Sequence, residues 1–144
     1  MPQYCFIPKE VESAIDEMIK IDVNNLDGEL ENNIANEAIL NHLIYTSTDK
    51  EIEYEATLSS LKKKLRANYI KGNIDDNDDF SGIRFTKSEV DTYIECDREV
   101  IELTRKIKEL SNAITYYERM LQTVRNKNFT MKNIIELKKF QAGM

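Results

Sequence analysis

The stretch that decides the fold is residues 86–126, which read TKSEVDTYIECDREVIELTRKIKELSNAITYYERMLQTVRN. It opens with a capping box, in which the Thr86 hydroxyl and the Glu89 carboxylate each bond the other residue's backbone N–H. Apolar side chains then alternate by three and four residues. They are Tyr93, Cys96, Val100, Leu103, Ile107, Leu110, Ile114, Tyr117, Leu121 and Val124. This spacing predicts one coiled-coil-like helix from 87 to about 126.

A helix of this length needs a partner. It would be roughly 60 Å long at about 1.5 Å per residue, whereas a compact globule of this chain length would be only about 38 Å across. The helix should therefore project beyond such a globule. The preceding helix folds back on it, other subunits pack against it, or both occur.

A second apolar segment follows at the C-terminus. We expect residues 126–128 to end the long helix and a last helix to run from about Thr130 to Ala142. Apolar side chains cover more than half of its circumference, which is wider than the stripe of a helix that rests on one surface. We therefore predict a surface for oligomerisation formed by Phe129, Met131, Ile134, Ile135, Leu137 and Phe140. The alternative is that this helix fills a groove in its own chain.

The N-terminal half also predicts helices, since Gly is scarce and Pro occurs only at positions 2 and 8. Pro8 is suited to open a first helix. Residues 22–25 then interrupt the apolar spacing, and a second helix is expected from Leu26 to Leu43.

A third helix is expected from about 50 to 71, after a break at 46–48 and with Asp49 as its N-cap. Its apolar seam is formed by Tyr54, Leu58, Leu61 and Leu65. Gly72 is suited to stop it. The predicted fold class is therefore all-α. It divides into an N-terminal part, 1–85, with an acidic loop at 73–85, and a C-terminal part, 86–144.

Charge is distributed unevenly along the chain. The net charge is -6, yet residues 62–72 hold five basic residues and no acidic one, whereas residues 1–61 hold 13 acidic and 3 basic residues. A phosphate backbone is the common partner of such a basic cluster. The candidate DNA-binding residues are Lys62, Lys63, Lys64, Arg66, Tyr69 and Lys71, with Tyr69 suited to stack on a base. The alternative is a solvated helix face.

Residues that carry catalytic or metal chemistry are sparse. His42 is the only histidine, and Cys5 and Cys96 lie far apart, so no zinc site of normal spacing is predicted. No glycine-rich nucleotide motif is present, and the acidic run 75–79 does not fit an EF-hand loop. We expect no enzyme activity, no metal and no cofactor.

The sequence also predicts no contact with a membrane. It holds no run of eighteen apolar residues, and residues 1–10 lack the pattern of a secretory signal. We therefore expect a cytosolic protein with both thiols reduced.

Several short segments occur in an order and spacing that resemble a known family. They are KLR at 64–66 followed by Asn68-Tyr69 and Gly72, the Asp-rich loop that ends in Phe80, KSE at 87–89, Asp97 ahead of Val100, NFTMKNI at 128–134 and FQAG at 140–143. Together they resemble the UvsY-type recombination mediators of T-even-like phages. The likeness runs from about Lys64 to Met144 and is looser upstream.

This resemblance implies properties that the residues alone do not. Proteins of the family form ring-like homo-oligomers, given as heptamers, through the C-terminal helix, and they bind single-stranded DNA without base specificity. They contact a phage RecA-like recombinase and the phage single-strand DNA-binding protein in the cytoplasm of the infected host. They help to displace the binding protein so that the recombinase filament forms. The family's Lys-x-Arg DNA-binding motif falls on Lys64 and Arg66.

Two other functions are left to distinguish. One is a structural coiled-coil adapter that binds no nucleic acid, and the other is a helix-turn-helix regulator of duplex DNA, although no tight turn precedes a recognition helix. If DNA is bound elsewhere than on the third helix, the basic C-terminal segment around Arg119, Arg125, Lys127 and Lys132 is the alternative surface.

Overall fold

The described part of the chain is entirely helical. The computed structural model describes residues 7–71 and 85–143, apart from the Lys71 side chain. Within those residues the elements are α1 (Lys9–Met18), α2 (Leu26–Lys71), α3 (Lys87–Glu95) and α4 (Arg98–Gln141), with no strand. The predicted all-α class is confirmed. Cys5, the predicted stop at Gly72 and the acidic loop apart from Phe85 lie outside the described residues.

The predicted break at 46–48 is wrong, because α2 is continuous from Leu26 to Lys71. The Thr46 hydroxyl donates to the carbonyls of His42 and Leu43, at 3.0 and 3.2 Å. A threonine that bonds back into the preceding turn is accommodated inside a helix. Asp49, expected as an N-cap, is an exposed residue within α2.

The predicted helix 87–126 differs from the structure at both ends. A break at Cys96 and Asp97 separates α3 from α4. Asp97 Oδ1 accepts from the backbone N–H groups of Glu99 and Val100, at 3.0 and 3.2 Å, so it caps α4. The capping box that begins α3 at Thr86 and Glu89 is confirmed.

The apolar seam of α3 also differs from the prediction. Val90 and Ile94 are buried, whereas Tyr93 is 37% exposed and Cys96 is exposed. The two-residue interruption at 96–97 therefore allows α3 and α4 to bury faces that one uninterrupted helix would not combine.

The predicted end at 126–128 is wrong as well, because α4 continues to Gln141. Asn126 takes part in the helix rather than ending it: its Oδ1 accepts from Gln122 Nε2 at 3.2 Å, and its carbonyl accepts from the Thr130 hydroxyl at 3.1 Å. No Gly or Pro stands in this segment to stop the helix. The separate C-terminal helix is therefore the last part of α4.

The chain forms two compact units, and α2 and α4 contribute to both of them. Unit 1 comprises residues 1–48 and 109–144, and unit 2 comprises residues 49–108. The predicted division between residues 85 and 86 does not follow these units and stays a prediction about function.

Unit 1 is held by α1, the first part of α2 and the second part of α4. Its core contains Ile7, Ile15, Met18, Leu40, Ala113, Tyr117, Leu121 and Val124. Asn33 is also buried, and its Nδ2 donates to the Val124 carbonyl at 2.9 Å. One of the asparagines that make the middle of this helix polar therefore faces α4.

Candidate nucleic-acid interface

The basic segment of α2 is oriented by the core of unit 2. Leu58, Leu61 and Leu65 of α2 pack against a buried cluster of α3 and α4. The members of that cluster are Val90, Ile94 and Val100. The seam predicted for this helix is confirmed at these three leucines. Because one face of α2 is covered, the basic side chains between the leucines are directed to its flanks and its outer side.

Two of the candidate basic residues form ion pairs with acids of α3. Lys62 Nζ lies 3.4 Å from Glu95 Oε1, and Arg66 Nη2 lies 2.9 Å from Asp91 Oδ1. The sequence showed no acid among these bases, and we expected none to be paired within the helix. Partners on the facing helix were missed, because residues 25 to 33 positions apart in sequence become neighbours only on folding.

The other candidates on this helix differ in their surroundings. Lys63 and Lys64 are exposed, and within residues 7–71 and 85–143 neither forms an ion pair. Lys64 and Arg66 are two positions apart, or about 200° around the helix, so they lie on opposite flanks of α2. The Lys71 side chain lies outside the described residues. These side chains can approach phosphates from two sides of one helix.

Tyr69 belongs to a cluster of three aromatic rings in unit 2. Its ring stacks on Tyr93 with centroids 5.8 Å apart, and it meets Phe85 edge-on at 5.8 Å. Phe85 and Tyr93 are also in edge contact, at 4.9 Å. Tyr69 is therefore engaged within the chain and holds Phe85 in place.

Phe85 was missed by the sequence analysis, although a signal was present. It precedes the N-cap Thr86, and Val90 is the fourth residue of α3. An apolar residue before the cap packs against the fourth helical residue in a hydrophobic staple, and Phe85 does pack against the cluster that contains Val90.

The candidate oligomerisation residues fall into two groups on α4. Met131 is fully buried in its own chain, and Ile134 and Ile135 are partly buried. The remaining three are exposed, at 68% for Phe129, 56% for Leu137 and 80% for Phe140. Both alternatives therefore apply in part, since one side of this segment packs within the chain and another side is apolar and uncovered.

The alternative basic surface loses one of its members. Lys127 is buried, and its Nζ donates to the Met18 carbonyl at 2.9 Å and to Glu29 Oε2 at 2.6 Å. It ties α4 to the end of α1 and to α2 and is not available to phosphate. Arg119, Arg125 and Lys132 are exposed.

Other residues that carry chemistry do not converge. His42 is exposed, and Cys96 is an exposed free thiol. Among residues 7–71 and 85–143, no three His, Cys, Asp or Glu side chains are grouped as metal ligands would be. A search of the same residues finds no helix with the length and apolar character that crossing a bilayer requires.

Comparison with protein families matches residues 14–144 to the model of UvsY, described as "Recombination, repair and ssDNA binding protein UvsY". The chain belongs to the UvsY family. Among curated proteins, the recombination protein uvsY of Enterobacteria phage T4 is 25% identical over 99 residues, which are 69% of this chain and 72% of that protein. The predicted resemblance is confirmed.

Solved structures agree with this assignment at the level of the fold. Two crystal structures of the bacteriophage T4 recombination mediator protein UvsY, in lattice types II and I, superpose with TM-scores of 0.77 and 0.78. They are 22% and 20% identical to this chain. They cover 93% and 92% of it, and 96% and 98% of the T4 chains.

Proposed function

We propose that this UvsY-family chain is a recombination mediator that binds single-stranded DNA as a homo-oligomer. It helps to load a phage RecA-like recombinase by displacing the phage single-strand DNA-binding protein. The binding surface is the basic flank and outer side of α2, formed by Lys62, Lys63, Lys64, Arg66 and Lys71. The family description supplies single-stranded DNA as the ligand, and the surface supplies the charge.

The observation that carries the proposal is the exposure of Lys63 and Lys64 on a helix whose opposite side is anchored in a core. An anchored helix holds its cations in place before the strand arrives, which reduces the entropy lost on binding. Arg66 is also half exposed despite its bond to Asp91. A phosphate can therefore reach all three side chains from solvent.

Assembly adds what one subunit lacks. A single patch neutralises only a few phosphates, whereas repeated patches bind one strand with the avidity of linked sites. The uncovered apolar surface of Phe129, Leu137 and Phe140 on α4 supports self-association, since exposed apolar patches of this kind mark interfaces. A contact that joins unlike surfaces of neighbouring subunits closes into a ring when its rotation allows.

The mechanism follows from charge and geometry. A closed ring of basic helices holds the strand in a curved path. That path competes for the phosphates that the resident single-strand binding protein needs, and it leaves a prepared strand for the recombinase. No covalent chemistry is required of the chain in this scheme.

The test is a titration of single-stranded DNA at several salt concentrations. Lys64→Ala with Arg66→Ala is compared with the native chain and with Arg98→Ala plus Lys108→Ala, which removes the same charge from exposed positions of α4 in unit 2. Oligomer size is measured for each variant by light scattering. We expect the slope of log affinity against log salt to fall by about 1.4 in the first variant, or about 0.7 per phosphate lost.

Each outcome discriminates between functions. Weaker, less salt-dependent binding in the first variant and unchanged binding in the control support the proposed surface. Binding that survives both sets of substitutions moves the surface to Arg119, Arg125 and Lys132 on α4. A native chain that binds no single strand supports the coiled-coil adapter instead.

A further inference from the structure

A pocket opens in unit 2 beside the ion pair of Arg66. It has a volume of about 430 Å³ and is lined by Arg66, Ile70, Phe85, Lys87 and Val90. Pockets that hold small ligands measure about 300–1,000 Å³. The proposed function uses only Arg66 of these residues, so the pocket is a separate feature.

The apolar wall of the pocket is fixed before any ligand arrives. Val90 is buried at the start of α3, and Phe85 is held by edge contacts with both Tyr69 and Tyr93. Ile70 closes another side from α2 and is 69% exposed. A flat apolar ligand placed here would bury Ile70 and the accessible part of Phe85 without moving the core.

Two cationic side chains line the same pocket. Arg66 comes from α2, and Lys87 comes from the first turn of α3. Lys87 is exposed and forms no ion pair among the residues that the structure describes. An apolar wall beside two cations matches a nucleotide, which offers an aromatic base and an anionic phosphate a short distance apart.

We propose that this pocket takes one unstacked base of the single strand against Phe85 and Ile70, while Arg66 and Lys87 hold the flanking phosphates. The assignment rests on the proposed binding of single-stranded DNA. It extends the binding surface from α2 to the start of α3. Among the described residues, the wall offers the base apolar contacts rather than a pattern of hydrogen bonds, so the site accepts any base.

This site gives the protein a physical means of distinguishing single from double strands. In a duplex the bases are paired and stacked, and only an energetic penalty brings one out. A single strand presents unstacked bases without that cost. Cations alone bind phosphates of either form, so a base pocket adds preference for the single strand.

The experiment compares two 30-nucleotide strands with the same phosphates, one of thymidines and one in which abasic residues replace them. The native chain is compared with Ile70→Ala and with the control Ile52→Ala, which truncates another exposed isoleucine of α2, 59% exposed and outside the pocket. Affinities are measured by fluorescence anisotropy at fixed salt. We expect Ile70→Ala to weaken binding of the thymidine strand by about 3- to 10-fold, because apolar contact area is lost, and to leave the abasic strand unchanged.

Lys87→Gln separates the second half of the site. Removing one phosphate contact should weaken both strands by the same factor and lower the salt slope by about 0.7. Ile70→Ala should also reduce the preference for the thymidine strand over a duplex competitor by the same factor as it reduces affinity.

The failures of the two proposals are distinguishable. If the native chain binds the thymidine strand and Ile70→Ala keeps its full preference over the abasic strand, the pocket holds no base, although DNA binding stands. An apolar side chain of a protein partner would give that result. If the native chain binds neither strand, the proposed function and the pocket both fail.

Discussion

Arg66 Nη2 lies 2.9 Å from Asp91 Oδ1, so a residue of the DNA-binding motif already has an anionic partner on the facing helix. Both side chains are about half exposed. A phosphate that approaches Arg66 must therefore replace a carboxylate or share the guanidinium with it. This relationship makes the acids of α3 part of the DNA-binding surface.

Replacing Asp91 by Asn should strengthen binding to single-stranded DNA. The substitution removes an anion that repels phosphate and competes for Arg66. Because an exposed pair is worth about 0.2–1 kcal/mol, affinity should rise by about 1.5- to 5-fold at low salt. Binding titrations with a labelled oligonucleotide measure the change.

Glu102→Gln is the matched control, since Glu102 is an exposed acid of α4 in unit 2 with no ion pair among the described residues. It should change affinity less than Asp91→Asn. A loss of affinity in Asp91→Asn would show instead that the carboxylate positions Arg66 for DNA.

Replacing Phe129, Leu137 and Phe140 together by Ser should reduce the oligomer to smaller species, because these exposed side chains form its apolar contact in our proposal. The helical content of the subunit should change little. Sedimentation velocity measures the mass and circular dichroism measures the fold. An assembly of unchanged mass would place the interface elsewhere.

Deleting the C-terminal segment from Asn128 is a poorer test of the same interface. It also removes Met131, which is fully buried in its own chain. Loss of assembly after this deletion would therefore combine two causes. The triple Ser variant avoids the buried side of α4, and Ile52→Ser with Ile101→Ser serves as its control for exposed apolar residues elsewhere.

Replacing Lys127 by Met should destabilise the chain strongly for a single substitution. It leaves Glu29 and the Met18 carbonyl without the partner that the buried ammonium supplies. We expect the free energy of unfolding to fall by about 2–4 kcal/mol, in the range of broken buried pairs. Urea denaturation at fixed protein concentration measures it.

A second substitution tests the cause. Adding Glu29→Met to Lys127→Met should recover part of the loss, since an apolar pair has no uncompensated charge. Lys132→Met, at an exposed position of the same helix, should change stability by no more than about 0.5 kcal/mol. An equally small effect of Lys127→Met would contradict the role of this pair.

Replacing Thr86 by Ala should cost about 1 kcal/mol of stability, because the Glu89 backbone N–H loses its capping partner. Thr86→Ser keeps the hydroxyl and should restore most of the stability. Thermal unfolding by circular dichroism compares the two variants. If Ala and Ser behave alike, the hydroxyl does not contribute through the cap.

Helix positions were largely predictable from local chemistry. Pro8 begins α1 at Lys9, residues 22–25 separate α1 from α2, and Thr86 with Glu89 begins α3. The wrong breaks at 46–48 and 126–128 share a cause: polar side chains there bond within the helix. The missed break at Cys96 had a signal in Asp97, a residue type that favours the N-cap.

The sequence by itself determined that the chain is all-helical, that Leu58, Leu61 and Leu65 face inward, and that basic residues gather on one segment of α2. These properties follow from the spacing of residues in one helix. Only the tertiary structure decided that Asp91 and Glu95 pair with two of those bases, that Lys127 is buried, and that Phe85 and Lys87 join Ile70 in a pocket. Each depends on residues of different helices, and helix packing fixes which of them meet.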